Sequence, residues 1–429
     1  MPTDTDITPP ETDWFVHDRF GLFIHWGIYA LGARHEWVKS VEKLDDAYYQ
    51  RYFDYFDPDL YDPRIWAREA RNAGMKYFVV TSKHHDGFCL WDSDLTDYKA
   101  TNTPYGKDLL QPMVDAFRDE GLKVGFYHSL IDWHHPDFPV DGFHPQRDDL
   151  EFRAANQHRA IRNYVPYLHG QTRELLSRFG KLDIMWFDFS YADRDWGWAK
   201  GNGKDEWEAE KLMRMVREMQ PGIMVNDRMG IPGDFKTPEQ YQPQAWLTVN
   251  GQRVIWEACQ TFSGSWGYHR DESSWKSPEM LVQLLVDTVS KGGNLLLNVG
   301  PTGRGELDAR ALERLRAMGE WMRLHSRSIY GCTASDFTPP PDCRYTQNGN
   351  RLYLHLFAWP YKHVHLPGLA GRVAYAQLLN DASEIKFWEI DPHQEAQNMT
   401  IRGEAGALTL GLPVLKPDVT VPVIELFLK

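Results

Sequence analysis

Asp188 closes the apolar run Asp183-Ile-Met-Trp-Phe-Asp188-Phe-Ser-Tyr, with no glycine, serine or helix start beside it to make it an N-cap. A carboxylate in that position is expensive to bury unless it has a partner or a chemical task. One task that needs such a group is glycoside hydrolysis, which uses two carboxyl groups: one ionised, and one whose pKa is raised enough to donate a proton. Two glutamates compete for the second place. Glu257 ends the run Val-Ile-Trp-Glu257, and Glu239 sits in the loop-like stretch Asp-Phe-Lys-Thr-Pro-Glu239-Gln-Tyr. Strand logic favours Glu257, although an acid there is equally placed to hold an arginine or orient the nucleophile's neighbours. Glu239 has the mobility that an acid/base beside a leaving group uses. Glu36, in Arg-His-Glu36-Trp37, is a third acid near the same rim.

Asp188 belongs to a series. From Arg19 to about Leu297, short apolar runs alternate with longer amphipathic stretches, the signature of repeated βα units around a parallel sheet. The runs end, in order, in His25-Trp-Gly, Lys83-His84-His85-Asp86-Gly87, Tyr127-His128, Trp186-Phe-Asp188, Asn226-Asp227-Arg228, Trp256-Glu257 and Asn298. Strands are predicted at 21–25, 77–82, 123–128, 184–187, 223–226, 254–258 and 294–298, with an eighth near 328–330. Helices are predicted at 65–73, 109–120, a long one within 149–179, then 206–219, 279–291 and 309–325. In a (β/α)8 barrel the active site lies at the C-terminal ends of the strands, where these polar residues fall. The run Thr338-Pro-Pro-Pro-Asp342 can continue neither a helix nor a central strand. It divides a barrel, residues 1–335, from a C-terminal part, residues 336–429, whose short segments 352–357, 373–379, 385–390 and 419–428 predict an antiparallel sandwich. The expected fold class is α/β: a (β/α)8-like barrel followed by a small C-terminal antiparallel β-sandwich.

Composition narrows the ligand. A chain of 429 residues fits one large domain and a small one. A net charge of −13 without a basic run excludes the footprint of a nucleic-acid partner, and 17 tryptophans suit the C–H faces of sugar rings. Cys89, Cys259, Cys332 and Cys343 lack metal-ligand or redox spacing and read as reduced thiols. The start, Met-Pro-Thr-Asp-Thr-Asp, has no signal-like region, and no apolar run reaches the roughly 18 residues of a membrane span, so a cytoplasmic chain with no membrane partner is expected. His25, His84, His85 and His128 suggest a metal site at first. His84 and His85 are adjacent, however, and would face opposite sides of a regular strand, and no H-x-H or H-E-x-x-H pattern occurs. Neutral histidines bonding sugar hydroxyls explain them, so no metal and no cofactor are expected.

At these residues the sequence resembles the family 29 α-L-fucosidases, from about Trp14 through Arg304. The landmarks are Phe-Ile-His25-Trp-Gly, Glu36-Trp37, Ser-Lys-His84-His85-Asp-Gly-Phe, Trp-Phe-Asp188 and Ser-Trp266-Gly-Tyr. The resemblance implies that Asp188 is the nucleophile and that fucose is flanked by His25, Glu36, Trp37, His84, His85, Tyr127, His128, Trp186, Arg228 and Trp266; Glu257 is added to the substrate-binding residues from its place at a strand end. Aligning outward from Trp256-Glu257 and Ser-Trp266-Gly-Tyr places the family's proton donor on Glu239, in preference to Glu257. The implied activity is exo-acting hydrolysis, with retention, of terminal α-L-fucosyl residues on a fucosylated oligosaccharide or glycoconjugate. Aromatic residues of the set would wall the sugar's C5 methyl. The turn Phe189-Ser190-Tyr191 departs from the family's small-residue versions, which leaves linkage preference open. The resemblance also implies a sandwich packed on the barrel that could lend a residue to a neighbour's active site in a homo-oligomer. The alternatives are a hydrolase of a fucose-like sugar such as an α-L-galactoside, and a sugar-binding protein without catalysis, which would need neither Asp188 nor Glu239.

Overall fold

The computed structural model describes residues 12–389 and 405–429. Seven parallel strands, Phe20–Ile24 (β1), Tyr77–Lys83 (β2), Lys123–Ser129 (β3), Ile184–Asp188 (β4), Met224–Val225 (β5), Glu257–Thr261 (β6) and Asn294–Val299 (β7), form one curled sheet in the order β5-β4-β3-β2-β1-β7-β6. Their residues are almost all buried, as expected of parallel strands covered on both faces. The covering helices carry the predicted amphipathic pattern. Pro63–Asn72, for example, starts with proline behind the Asp62 cap, which accepts from the Arg64 N–H, and buries Trp66, Ala67 and Ala70 along one stripe.

Three expectations change. The long helix within 149–179 is two helices, Leu150–Ala155 and Ile161–Arg178, because Asp149 caps the first and the second begins afresh after residue 160. β6 starts at Glu257, three residues later than predicted. The segment 328–330 is no strand: it begins on the last residue of the 3₁₀ turn Ser326–Ser328.

The barrel is instead closed by the stretch predicted as a loop. Residues 234–240 run between β5 and β6, parallel to both, and bond to each side. Asp234 N donates to Val225 O, Lys236 N to Ile255 O, Glu257 N to Lys236 O, Cys259 N to Pro238 O and Gln240 N to Cys259 O, at 2.7–3.1 Å. Pro238 fits this eighth stave because it only accepts there. Gly233 allows the chain to enter it: a Cβ at that residue would lie 2.3 Å from Asn226 O.

Beyond the barrel, Cys343–Asn348 (β8), Arg351–Leu356 (β9), His363–Leu366 (β10), Val373–Leu378 (β11), Phe387–Glu389 (β12), Leu408–Gly411 (β13) and Val423–Leu428 (β14) form two antiparallel sheets, β8-β9-β14-β11 and β10-β13-β12. Leu352, Leu354, Leu366, Leu410, Ile424 and Leu426 belong to their shared core. β8, β10 and β13 were not predicted, and residue 390 of the predicted 385–390 strand lies outside the described residues. The sandwich is seated on the barrel. Trp321 Nε1 donates to Val421 O at 2.8 Å, Thr346 Oγ1 to Ser328 O at 2.6 Å, and Arg344 pairs with Asp287 at 2.7 Å. No described helix is long and apolar enough to cross a membrane.

Candidate active site

A cavity of about 290 Å³ opens where the strands end, lined by Phe23, His25, Glu36, Trp37, His84, His85, Tyr127, Trp186, Asp188, Phe189, Arg228, Glu239, Cys259 and Trp266. Its floor follows from strand register. Tyr127 on β3 lies beside Trp186 on β4, and their rings stack at 5.7 Å and 19°. Two residues further along the same pair of strands, Ser129 lies beside Asp188, so period-two alternation aims Asp188 into the cavity with Trp186.

Asp188 Oδ2 accepts from the Tyr127 hydroxyl at 2.8 Å and Oδ1 from Arg228 Nη1 at 3.1 Å. Burial pushes this carboxyl up to about 6; the Arg228 cation opposes the rise and the charge of Glu239 adds to it. Arg228 links the two candidate carboxylates: its Nη2 donates to Glu239 Oε2 at 2.9 Å, and its Nε to Thr237 Oγ1 at 2.7 Å. The closing stave thereby holds the arginine, and the arginine brings Asp188 and Glu239 together. Glu239 is the more open of the two, with 41 % of its side chain exposed against 14 % for Asp188.

The histidines are neutral, and two of their tautomers follow from their partners. His25 Nδ1 lies 2.6 Å from Asn298 Oδ1, an acceptor, while Asn298 Nδ2 donates to Trp266 O, so Nδ1 carries the proton and Nε2 is left as an acceptor. Burial holds His25 down to about 3. Ser129 gives its hydroxyl proton to Ile131 O, so His85 Nδ1, 2.7 Å from Ser129 Oγ, is a donor, and its Nε2 faces Asp188 at 3.8 Å as a second acceptor. His84 stacks on Tyr127 at 5.6 Å and 16°, and burial drives its pKa far down. Both His84 and His85 face the cavity because β2 ends at Lys83; the strand alternation expected to separate them no longer applies. Glu36 Oε2 accepts from Gly267 N at 2.8 Å, and burial raises its pKa. Trp37 stands edge-on to His85, and Trp266 and Phe23 meet at 5.9 Å and 70°, forming an apolar corner.

Two predicted substrate-binding residues are not in the cavity. His128 follows inward-facing Tyr127 and therefore points outward. Its Nδ1 donates to Ser82 Oγ at 3.1 Å, and its ring abuts Trp91. Glu257 begins β6 instead of ending it, which sinks it to the middle of the barrel. It is fully buried, accepting from Tyr77 Oη at 2.6 Å and Trp186 Nε1 at 3.2 Å, and burial pushes it up to about 7. It supports the floor and lines no part of the cavity. Phe23, Cys259 and Phe189 line it and were missed. Phe23 was legible, two residues before His25 on the same strand face. Cys259 was hidden by the misplaced start of β6. Phe189 adopts φ 85°, a conformation rare for an aromatic residue, which no sequence pattern announces.

Residues 2–327 match the sequence profile of the family described as alpha-L-fucosidase. Human plasma alpha-L-fucosidase is 29% identical over 386 residues, covering 81% of this chain and 76% of its own length. The structure of alpha-L-fucosidase isoenzyme 1 from Paenibacillus thiaminolyticus is 46% identical, with a TM-score of 0.89 over 97% of this chain and 98% of that one. A Bacteroides thetaiotaomicron GH29 alpha-L-fucosidase, trapped as a covalent intermediate with 2-fluoro-fucosyl fluoride, is 28% identical with a TM-score of 0.82 over 100% of both chains.

Proposed function

The chain belongs to the α-L-fucosidase family of glycoside hydrolases, whose reaction proceeds with retention, and from that premise we propose how its residues divide the work of releasing a terminal α-L-fucosyl residue from a glycan. Asp188 attacks the anomeric carbon while Glu239 protonates the departing glycosidic oxygen. Glu239 then takes a proton from water, which attacks the same carbon and releases fucose from Asp188. The observation that carries this assignment is Arg228, whose two terminal nitrogens hold Asp188 and Glu239 in one cavity. The retaining reaction of the family calls for such a pair of carboxyl groups, about 5 to 5.5 Å apart. Tyr127 and Arg228 donate to the nucleophile and keep its lone pairs directed. The bare Nε2 atoms of His25 and His85 accept from sugar hydroxyls, and Glu36 accepts from another. The apolar corner of Phe23 and Trp266 supports a C5 methyl over the hydroxymethyl of an α-L-galactoside. Self-association, which the family resemblance suggests, is to be measured by sedimentation velocity.

The test is release of nitrophenol from 4-nitrophenyl α-L-fucoside. Asp188→Gly is expected to fold and to be inactive. Glu239→Ala is expected to regain rate with azide, whereas Glu257→Ala is not. Azide rescue of Glu257→Ala alone would transfer the acid/base role to Glu257.

A further inference from the structure

Behind the wall that Phe189 presents to the active site lies a second cavity, of about 500 Å³, between the loops that follow β3 and β4. We propose that it binds an anionic group, a carboxylate or a sulfate ester, on the glycan that carries the fucose. The proposal rests on the fucosidase activity above and deepens its substrate class.

The two cavities share a partition of aromatic side chains. Phe189 packs against Tyr191 at 5.3 Å and Phe143 at 5.0 Å, and the Tyr191 hydroxyl donates to Asp141 Oδ2, on the far side, at 2.5 Å. The residues that wall the fucose cavity are thus packed directly on one that lines the second, Asp141. Arg153, Arg159 and Lys200 face the second cavity, and none of them is ion-paired among the described residues. In a chain of net charge −13, three cations without a salt bridge around one hollow are conspicuous, although Asp46 and Asp137 act on Arg159, and Arg153 on Asp148, from further off. Asp141 is the only acidic residue among the described residues lining it, and its oxygens are taken: Oδ1 accepts from the Phe143 and His144 N–H groups and Oδ2 from Tyr191.

Arg153 is held ready. Its guanidinium lies over the Trp198 ring, 3.5 Å from the centroid, which restrains a long side chain while leaving its N–H fork without a carboxylate. A planar fork fixed in this way meets a carboxylate or sulfate through two parallel hydrogen bonds. Arg159 is steadied by Asn156 Oδ1 at 2.8 Å. Trp198, 41% exposed, offers the remaining apolar surface to the sugar ring that bears the charge.

The experiment compares kcat/KM of the full chain on a neutral fucosylated trisaccharide, its sulfated counterpart and its sialylated counterpart, with 4-nitrophenyl α-L-fucoside as reference. At least one acidic substrate is expected to be preferred by about tenfold or more, through KM and less so at high salt. The double variant Arg153→Gln/Lys200→Gln is expected to lose that preference while cleaving the nitrophenyl fucoside as the parent does, which also shows that it folds. Preference for the sulfated or the sialylated substrate alone identifies the anion. Equal kcat/KM on all three trisaccharides with the reference activity intact, or a preference that survives in the double variant, overturns the proposal. Failure to cleave any of the substrates, the nitrophenyl fucoside included, overturns the underlying activity and the proposal with it.

Discussion

Asp188 attacks only when ionised, and its burial raises the pH at which that happens. With the carboxyl pushed up to about 6, kcat/KM should fall as pH drops through about 6, because protonation removes the nucleophile. Arg228 opposes the rise, so Arg228→Met should move the acid limb upward by about one pH unit or more, measured from pH–rate profiles on 4-nitrophenyl α-L-fucoside. A limb that stays in place would mean that the arginine does not tune this carboxyl. The neighbouring residue carries a different kind of constraint. Phe189 holds φ 85° while its ring packs on His85 at 4.8 Å and on Trp37 at 5.1 Å. Glycine tolerates that backbone and alanine does not, so Phe189→Gly should be more stable than Phe189→Ala by about 1 kcal/mol in urea unfolding, although both lose the same ring. Equal stability of the two would show that the conformation stores no strain.

At the scale of elements, position along a strand decides what an acid can do. Glu257 and Asp188 both follow a tryptophan by one or two residues, yet Asp188 ends β4 at the cavity and Glu257 begins β6 below it. The consequence can be measured as pH-dependent stability. Glu257 is raised to about 7 in the folded chain from an ordinary value of 4.5, so it binds its proton more tightly folded than unfolded. Its contribution is full below the unfolded value and is lost as pH climbs towards 7. Glu257→Gln is neutral throughout and leaves one of its two donors, Tyr77 or Trp186, poorly matched. The melting temperature of the parent should therefore exceed that of the variant by more at pH 5 than at pH 8. A gap that widens with pH would contradict the buried, proton-holding carboxyl.

Over the whole molecule, barrel and sandwich share apolar contacts. Tyr353, Leu379, Val421 and Val423 of the C-terminal part belong to the same buried cluster as the barrel helices, and Trp321 completes its hydrogen bonding on Val421 O. Ending the chain at residue 335 should expose that surface and give a barrel that aggregates or melts many degrees lower, judged from soluble yield and thermal unfolding. A truncated barrel with the parent's melting temperature would show the sandwich to be dispensable for the fold.

The sequence by itself determined the βα alternation, the sandwich after the proline run, and most of the site. Strand period and apolar runs are local properties, and one strand end after another carries a polar residue. That is why His25, His84, His85, Tyr127, Trp186, Asp188 and Arg228 were legible together. It did not fix strand ends to a single residue, and a shift of three residues moved Glu257 from the floor's support to an apparent rim. Only the tertiary structure decided that residues 234–240 are the eighth stave. That stretch has no alternation of its own, and it becomes a strand because β5 and β6 offer it unpaired backbone groups on either side. The same closure folds Glu239 back beside Arg228, and Arg228 in turn reaches Asp188 on another strand, a contact between residues 40 apart in sequence that no local pattern encodes.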